Sequence, residues 1–260
     1  MDFGMPTLLE LDTLEDNVAL CKELGLKFVE INCNVPEFQV ENMDPEKLLE
    51  LSRTSGVYFT FHLDEYLSVT DPNMKISEAY IQSVINSIEF AKKAKIPNLT
   101  MHFINGVVFT LPHKKVYVYE KYSDYYLARL RVFRDRVSEA IGDADVKLCI
   151  ENVTGFETYM KQGIEMLLES SAFGLTYDCG HNHRYHQVDH AFLGLHQDRI
   201  NHMHLHDCIG LNDHQALETG DLDLRKELEF VDGKAKRVVI EVKTVEGLRN
   251  SVRSELILLF

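Results

Sequence analysis

FGLTYDCGH, Phe173–His181, is a short apolar run that closes on a carboxylate, Asp178, and then reaches an imidazole, His181. Five other stretches share the form: YFTFH ends at His62, LTMH at His102, KLCIE at Glu151, HMH at His204 and VVIE at Glu241. Each run reads as a β-strand. Side chains alternate along a strand, so Thr60, Thr100, Cys149, Thr176, His202 and Val239, two positions upstream, share the face of the terminal residue. That face carries a mostly small layer capped by imidazoles and carboxylates, while Phe61, Met101, Ile150, Tyr177, Met203 and Ile240 point the other way. A solvated strand end explains one such residue. Six in succession arise by chance about once in a thousand, so the pattern is read as a site.

Outward from these strands, the chain alternates strand and helix throughout. Strands are predicted near Asp2–Pro6, Phe28–Cys33, Val57–His62, Asn98–His102, Val146–Glu151, Phe173–Asp178, Ile200–His206 and Arg237–Val242. Helical spacing lies between them, at Leu14–Leu24, Pro45–Ser55, Ser77–Ala94, Ser123–Ile141, Thr158–Ser170, Val188–Leu195, Leu224–Phe230 and Thr244–Leu259. Asp44-Pro45 reads as an N-cap followed by proline at the first helical position; Gly25, Gly56 and Gly142 read as helix stops. Eight β-then-α units without a linker predict one α/β domain over residues 1–260, a single (β/α)8 TIM barrel. All strand C-termini then meet on one rim, which gathers residues far apart in sequence. The longest loop, Ile104 to Tyr122, leads into a Tyr-rich segment (Tyr117, Tyr119, Tyr122, Tyr125, Tyr126) and reads as a lid, a subunit-packing surface or a locally ordered loop.

The composition, with 45% hydrophobic and 26% charged residues, is that of a globular protein. No run is long and apolar enough for a membrane span, and the Met1-Asp2-Phe3-Gly4 start does not read as a signal sequence. Five cysteines without a CxxC pair predict reduced thiols and a cytoplasmic setting. A formal charge of −14 disfavours broad attraction to nucleic acid without excluding a local basic groove. The run RLRVFRDR, Arg129–Arg136, has apolar residues at helical spacing and reads as a solvated helix face.

Glu151, Asp178, His204 and Glu241, from strands five to eight, supply three carboxylates and an imidazole. That donor set suits a divalent cation such as Mn²⁺, Mg²⁺, Co²⁺ or Zn²⁺, with positions left for water or substrate oxygens. His62 and His102 belong on the other side of the pocket, and His181 and His214 add two more imidazoles from loops. His183, His186, His190 and His196 read as loop or surface residues.

These residues resemble the xylose isomerase-like barrel superfamily, which includes sugar isomerases, sugar epimerases and endonuclease IV. The resemblance runs from VEI at Val29–Ile31 to the final helix. It rests on His62 in HLDEYL, His102 in MHFING, Glu151-Asn152, DCGH at 178–181, HLHD at 204–207, His214 with the following ETGDLD, and IEV at 240–242. In the epimerase branch it implies one metal on Glu151, Asp178, His204 and Glu241. The two glutamates would then move a proton through an enediolate, while His62, His102 and His181 bind sugar hydroxyls. In the endonuclease IV branch it implies two or three zincs: Glu151 shared with a second zinc on His62 and His102, and a third on His181, His214 and an aspartate two residues earlier. Asn212 stands at that last place, and the turn after His214 reads Glu218-Thr219-Gly220-Asp221. Both departures weaken the nuclease branch.

The expectation is therefore a metal-dependent isomerase or epimerase of carbohydrate metabolism, acting on a small sugar or sugar-like hydroxy-carbonyl compound and able to form homo-oligomers. The alternative is an endonuclease IV-like zinc phosphodiesterase on abasic DNA. A barrel that binds a ligand without catalysis is the third reading, and three converging carboxylates count against it.

Overall fold

The computed structural model describes the backbone of residues 1–260 and every side chain except that of Leu258. Eight parallel strands close on themselves in chain order: β1 Asp2–Pro6, β2 Phe28–Asn32, β3 Tyr58–His62, β4 Asn98–His102, β5 Lys147–Glu151, β6 Phe173–Asp178, β7 Ile200–Leu205 and β8 Arg237–Ile240, with β8 pairing back onto β1. The expected (β/α)8 barrel is what the chain forms. Strand lengths fall within two residues of the sequence reading; β8 ends at Ile240, so Glu241 begins the loop that follows it.

The alternation of faces is realised. Thr60, Thr100, Cys149, Thr176, His202 and Val239 are all fully buried inside the barrel. The Thr100 and Thr176 hydroxyls, two strands apart, lie within 3.1 Å of each other, and Thr60 Oγ1 donates to Glu30 Oε2 on the neighbouring strand at 3.2 Å. The other face, Phe61, Met101, Ile150, Tyr177, Met203 and Ile240, joins one hydrophobic cluster with Ile81, Val84, Leu130, Phe133, Met160 and Ile164 from the surrounding helices. Fully burying each such side chain contributes about 1.5–3 kcal/mol. At the base of the barrel Gly4 leaves room for Phe28; a Cβ there would lie 2.6 Å from three ring atoms.

Helix boundaries follow local capping. Asp44 accepts hydrogen bonds from the Glu46 and Lys47 amides, as Asp44-Pro45 predicts. The third helix starts at Met74 rather than Ser77, because Asn73 caps it and the Ser77 hydroxyl instead donates to the Val69 carbonyl at 2.7 Å. The predicted Val188–Leu195 helix is shorter, His190–Leu195. A further helix, Cys179–Arg184, precedes it, capped by the Asp178 side chain. Left-handed backbone at His186 and Gln187 separates the two. The last predicted helix divides into Val245–Ser251 and Glu255–Leu259, the second capped by Ser254.

The long loop after β4 is largely ordered by its own hydrogen bonds. Val108–Leu111 pairs with Lys114–Tyr117 in an antiparallel hairpin, followed by the short helix Val118–Lys121. Tyr119 and Tyr126 are buried beneath it with Tyr159, whose hydroxyl donates to the Asn105 carbonyl at 2.7 Å. Much of the tyrosine content therefore anchors the base of the loop, while the strand Val108–Leu111 is exposed along its length.

Candidate metal centre

The barrel stagger brings the strand ends together. His102 on β4 lies opposite Glu151 on β5, and Asp178 on β6 opposite His204 on β7. Asn152 then fastens β5 to β6: its side-chain amide donates to the Asp178 carbonyl at 2.8 Å, and its side-chain oxygen accepts from the Asp178 amide at 2.9 Å. This reciprocal pair sets the spacing between the two carboxylates beside it.

His204 Nδ1 is the point of convergence. It lies 3.3 Å from Glu151 Oε1, 3.7 Å from Asp178 Oδ2 and 3.3 Å from Glu241 Oε2. His62 Nε2 and His102 Nε2 each stand 3.4 Å from Glu151 Oε2. His181 Nδ1 reaches Asp178 Oδ2 at 3.2 Å and Glu151 Oε1 at 3.4 Å, and His214 Nε2 lies 3.6 Å from Glu241 Oε2. All eight sequence-predicted residues thus converge in one cluster, with His62 and His102 meeting the Glu151 carboxylate from β3 and β4.

The electrostatics are those of buried anions held by cations. Burial alone would push the Glu151 carboxyl up, yet the His204 and His102 imidazoles, with contacts from His181, hold it well below the usual carboxylate range. Asp178 is held low against its burial by His181 and His206, and Glu241 by Lys243 and His204. In return, the surrounding carboxylates outweigh burial to push His204 well up and His181 up to about 10. His102 goes the other way, to about 4, because burial outweighs Glu151.

Several of these groups lack a hydrogen-bond partner although they are buried: both Glu151 oxygens, His204 Nδ1 and Glu241 Oε2. Unpaired buried charge is costly, and such groups are ordinarily paired or metal-coordinating. The unpartnered Glu151 and Glu241 oxygens, the adjoining Asp178 carboxylate and an imidazole nitrogen whose proton a metal would displace fit a divalent cation. Ligand atoms of Asp178, His204 and Glu241 lie within 4.8 Å of one another, as do those of Glu151, Asp178 and His181.

A model of the xylose isomerase-like TIM barrel matches residues 18–254. The chain belongs to this family. Among solved structures, this xylose isomerase-like barrel is similar to a D-tagatose 3-epimerase-like protein, with a TM-score of 0.79 and 19% identity over 100% of this chain and 98% of the other. It also resembles 3-keto-D-glucoside 4-epimerase from E. coli (TM-score 0.74, 13% identity, 97% and 98% covered). A third is the IOLI protein with a bound zinc atom (TM-score 0.72, 16% identity, 98% and 94% covered). At such identities the likeness is one of fold. A search of curated protein sequences finds no match.

The structure adds three site residues to the sequence reading. Glu30, buried on β2, faces the Nε2 atoms of both His202 and His204 at 2.9 and 2.8 Å. His206 is buried beneath Asp178: its Nδ1 accepts the His214 amide at 2.8 Å, so Nε2 carries the proton donated to Asp178 Oδ1 at 3.1 Å. Lys243 Nζ lies 2.6 Å from Glu241 Oε1. Two signals were present in the sequence. A lone Glu inside FVEI needs a buried partner, and His206 follows His204 by the strand period of two.

At the place of a third zinc ligand Asn212 is exposed, while Asp213 pairs with Arg184 at 2.7 Å and stands 3.2 Å from His214 Nδ1. The altered turn is a structural cradle, in which the Cys208, Gly220 and Leu222 amides all donate to the buried Asp207 carboxylate. The five cysteines are free and buried; burial pushes the Cys208 thiol up to about 12, so it is no thiolate. Among the described residues, no helix is long and apolar enough to cross a membrane.

Gly180 in DCGH is required by packing, because a Cβ there would lie 1.9–2.7 Å from three atoms of the His206 ring. Gly180→Ala should displace His206 from Asp178 and cost about 1–3 kcal/mol. Thermal unfolding of the variant measures this, and an unchanged Tm would mean that His206 moves freely.

Proposed function

We propose that this chain is a divalent-metal-dependent isomerase or epimerase of a sugar or sugar-like hydroxy-carbonyl compound. The observation that carries the reading is the pair Glu151 and Glu241. Both are buried carboxylates that meet the same His204 nitrogen at 3.3 Å and keep oxygens without hydrogen-bond partners. They come from the two ends of an arc of four neighbouring strands, β5 to β8. That placement suits carboxylates working on two faces of one carbon.

Glu151, Asp178, His204 and Glu241 would hold Mn²⁺, Mg²⁺, Co²⁺ or Zn²⁺; one ion is expected. When bound, it supplies positive charge that stabilises negative charge developing on adjacent substrate oxygens. One glutamate takes the proton from the carbon next to the carbonyl, leaving an enediolate, and the other, once it has taken a proton from solvent, returns it to reverse the configuration or shift the carbonyl. Both are held in the anionic form that a base requires. His62, His102 and His181 face the same space and would hold substrate hydroxyls. The epimerases among the fold relatives support this substrate class. Five free thiols support a reducing, cytoplasmic setting. The test is incubation of metal-loaded protein with a panel of ketoses and aldoses in D₂O. Deuterium should appear at a carbon adjacent to the carbonyl, with epimer or isomer formation; turnover without exchange would exclude proton transfer with solvent-equilibrated carboxylates.

One observation favours a second reading, an endonuclease IV-like zinc phosphodiesterase. His62 and His102 both aim Nε2 at Glu151 Oε2, and His62 Nδ1 lies 2.9 Å from the Leu63 carbonyl, which leaves Nε2 free to ligate. The exposed Asn212 argues against the third ion of that reading. The two separate by metal count. If His62 serves substrate only, His62→Ala should retain the parental metal-to-protein ratio; loss of one ion per chain would move the chain to the nuclease branch.

A further inference from the structure

Glu30 stands one level below the site, 2% exposed, within the otherwise apolar FVEI of β2. A carboxylate at such a depth is costly unless it is paired. Two of its partners come from across the barrel and one from the neighbouring strand. Oε1 lies 2.8 Å from His204 Nε2, an ion-pair contact outside hydrogen-bond geometry, whereas Oε2 is hydrogen-bonded to His202 Nε2 at 2.9 Å and accepts the Thr60 hydroxyl at 3.2 Å. Thr60 is its register neighbour on β3, and His202 and His204 both belong to β7.

We propose that Glu30 is a positioning residue that fixes the orientation and tautomer of His204, so that Nδ1 rather than Nε2 faces Glu151, Asp178 and Glu241. The inference rests on the metal-site reading above and deepens it. The His204 imidazolium gives up one proton when a metal binds, and the neutral imidazole that ligates the ion has one donor nitrogen and one acceptor nitrogen. An ionised carboxylate only accepts, so Glu30 at 2.8 Å from Nε2 favours the proton on that atom and leaves the lone pair to Nδ1. Nδ1 is the atom that meets the three carboxylates at 3.3–3.7 Å. His202 and Thr60 grip Oε2, and with it held, Oε1 has little freedom to turn away from His204. Partners of this kind tune ligand basicity, and losing one typically costs about ten- to a hundredfold in metal affinity.

The experiment uses the full chain, stripped of metal and titrated with Co²⁺ against a chelating dye, with the visible Co²⁺ spectrum and the Tm of the metal-free protein recorded alongside. Glu30→Gln, which keeps shape and removes the charge, is expected to weaken Co²⁺ binding about ten- to a hundredfold and to shift the visible bands. Parental affinity and bands with only a lowered Tm would make Glu30 a packing residue and overturn the inference. So would a second Co²⁺ per chain lost only in this variant, since it would place the ion on Glu30 itself. A parental protein that binds no Co²⁺ removes the metal site as a whole, a result distinct from failure of Glu30 alone. Should Glu30→Gln not fold, Glu30→Asp withdraws the carboxylate by one methylene and is read the same way: unchanged affinity overturns the inference.

Discussion

Glu241→Gln should lower kcat by about 10²–10⁴-fold, the usual contribution of a positioned general acid or base. The substitution preserves volume and changes only charge and proton affinity. In the parental chain Oε1 is held by Lys243 at 2.6 Å, and Oε2 faces His204 at 3.3 Å and His214 at 3.6 Å. The Gln side chain fits the same space, and Lys243 at the rim can turn to water, so the fold should survive. Because Glu241 is also a proposed ligand, activity must be read at saturating metal; otherwise weaker loading would mimic a lost base. The expected outcome is a folded, metal-loaded protein with kcat at the floor and KM within a few-fold of the parent. Parental kcat would remove Glu241 from proton transfer and leave Glu151 without a counterpart.

Asp178→Ala is expected to weaken divalent-metal binding by more than about a hundredfold and to destabilise the chain. Asp178 is completely buried and does three things. It offers Oδ2 toward the His204 nitrogen at 3.7 Å, accepts His206 Nε2–H, and caps the Cys179–Arg184 helix by accepting the His181 amide at 2.6 Å. Loss of a cap costs about 0.5–2 kcal/mol, and leaving a partner charge buried and alone costs about 3–5 kcal/mol. Asp178→Asn separates these effects. Its side-chain oxygen still caps the helix while the negative charge is gone, so it should recover much of the Tm and little of the metal affinity. Calorimetric titration with Mn²⁺ and thermal unfolding measure both. Unchanged affinity in either variant would mean that the ligand set is wrong.

The barrel was legible because each of the strands β3 to β8 announces itself twice, by an apolar run and by a His, Asp or Glu at or next to its end whose parity fixes the inner face. Six of the eight candidate residues were read from that parity, and His181 and His214 from the loops and the family resemblance. What escaped was set by contacts that cross the barrel. Glu30 belongs to β2, which lacks a terminal ligand, and its meaning comes from His202 and His204 on β7. His206 lies just beyond the observed end of its strand and gains its role from an amide eight residues later. Helix starts were missed where a cap competed with periodicity, as Asn73 does with Ser77. The Tyr-rich stretch is ambiguous in sequence because anchoring tyrosines and exposed ones alternate through it. Only burial separates Tyr119 and Tyr126 from Tyr122.

The most direct test of a one-metal proton-transfer site is elemental analysis of the purified chain, before and after stripping and reconstitution with Mn²⁺, Co²⁺, Mg²⁺ or Zn²⁺. One exchangeable divalent ion per chain, absent from Asp178→Ala, is the expected result. No bound metal after reconstitution, or two to three tightly held zincs, would contradict it.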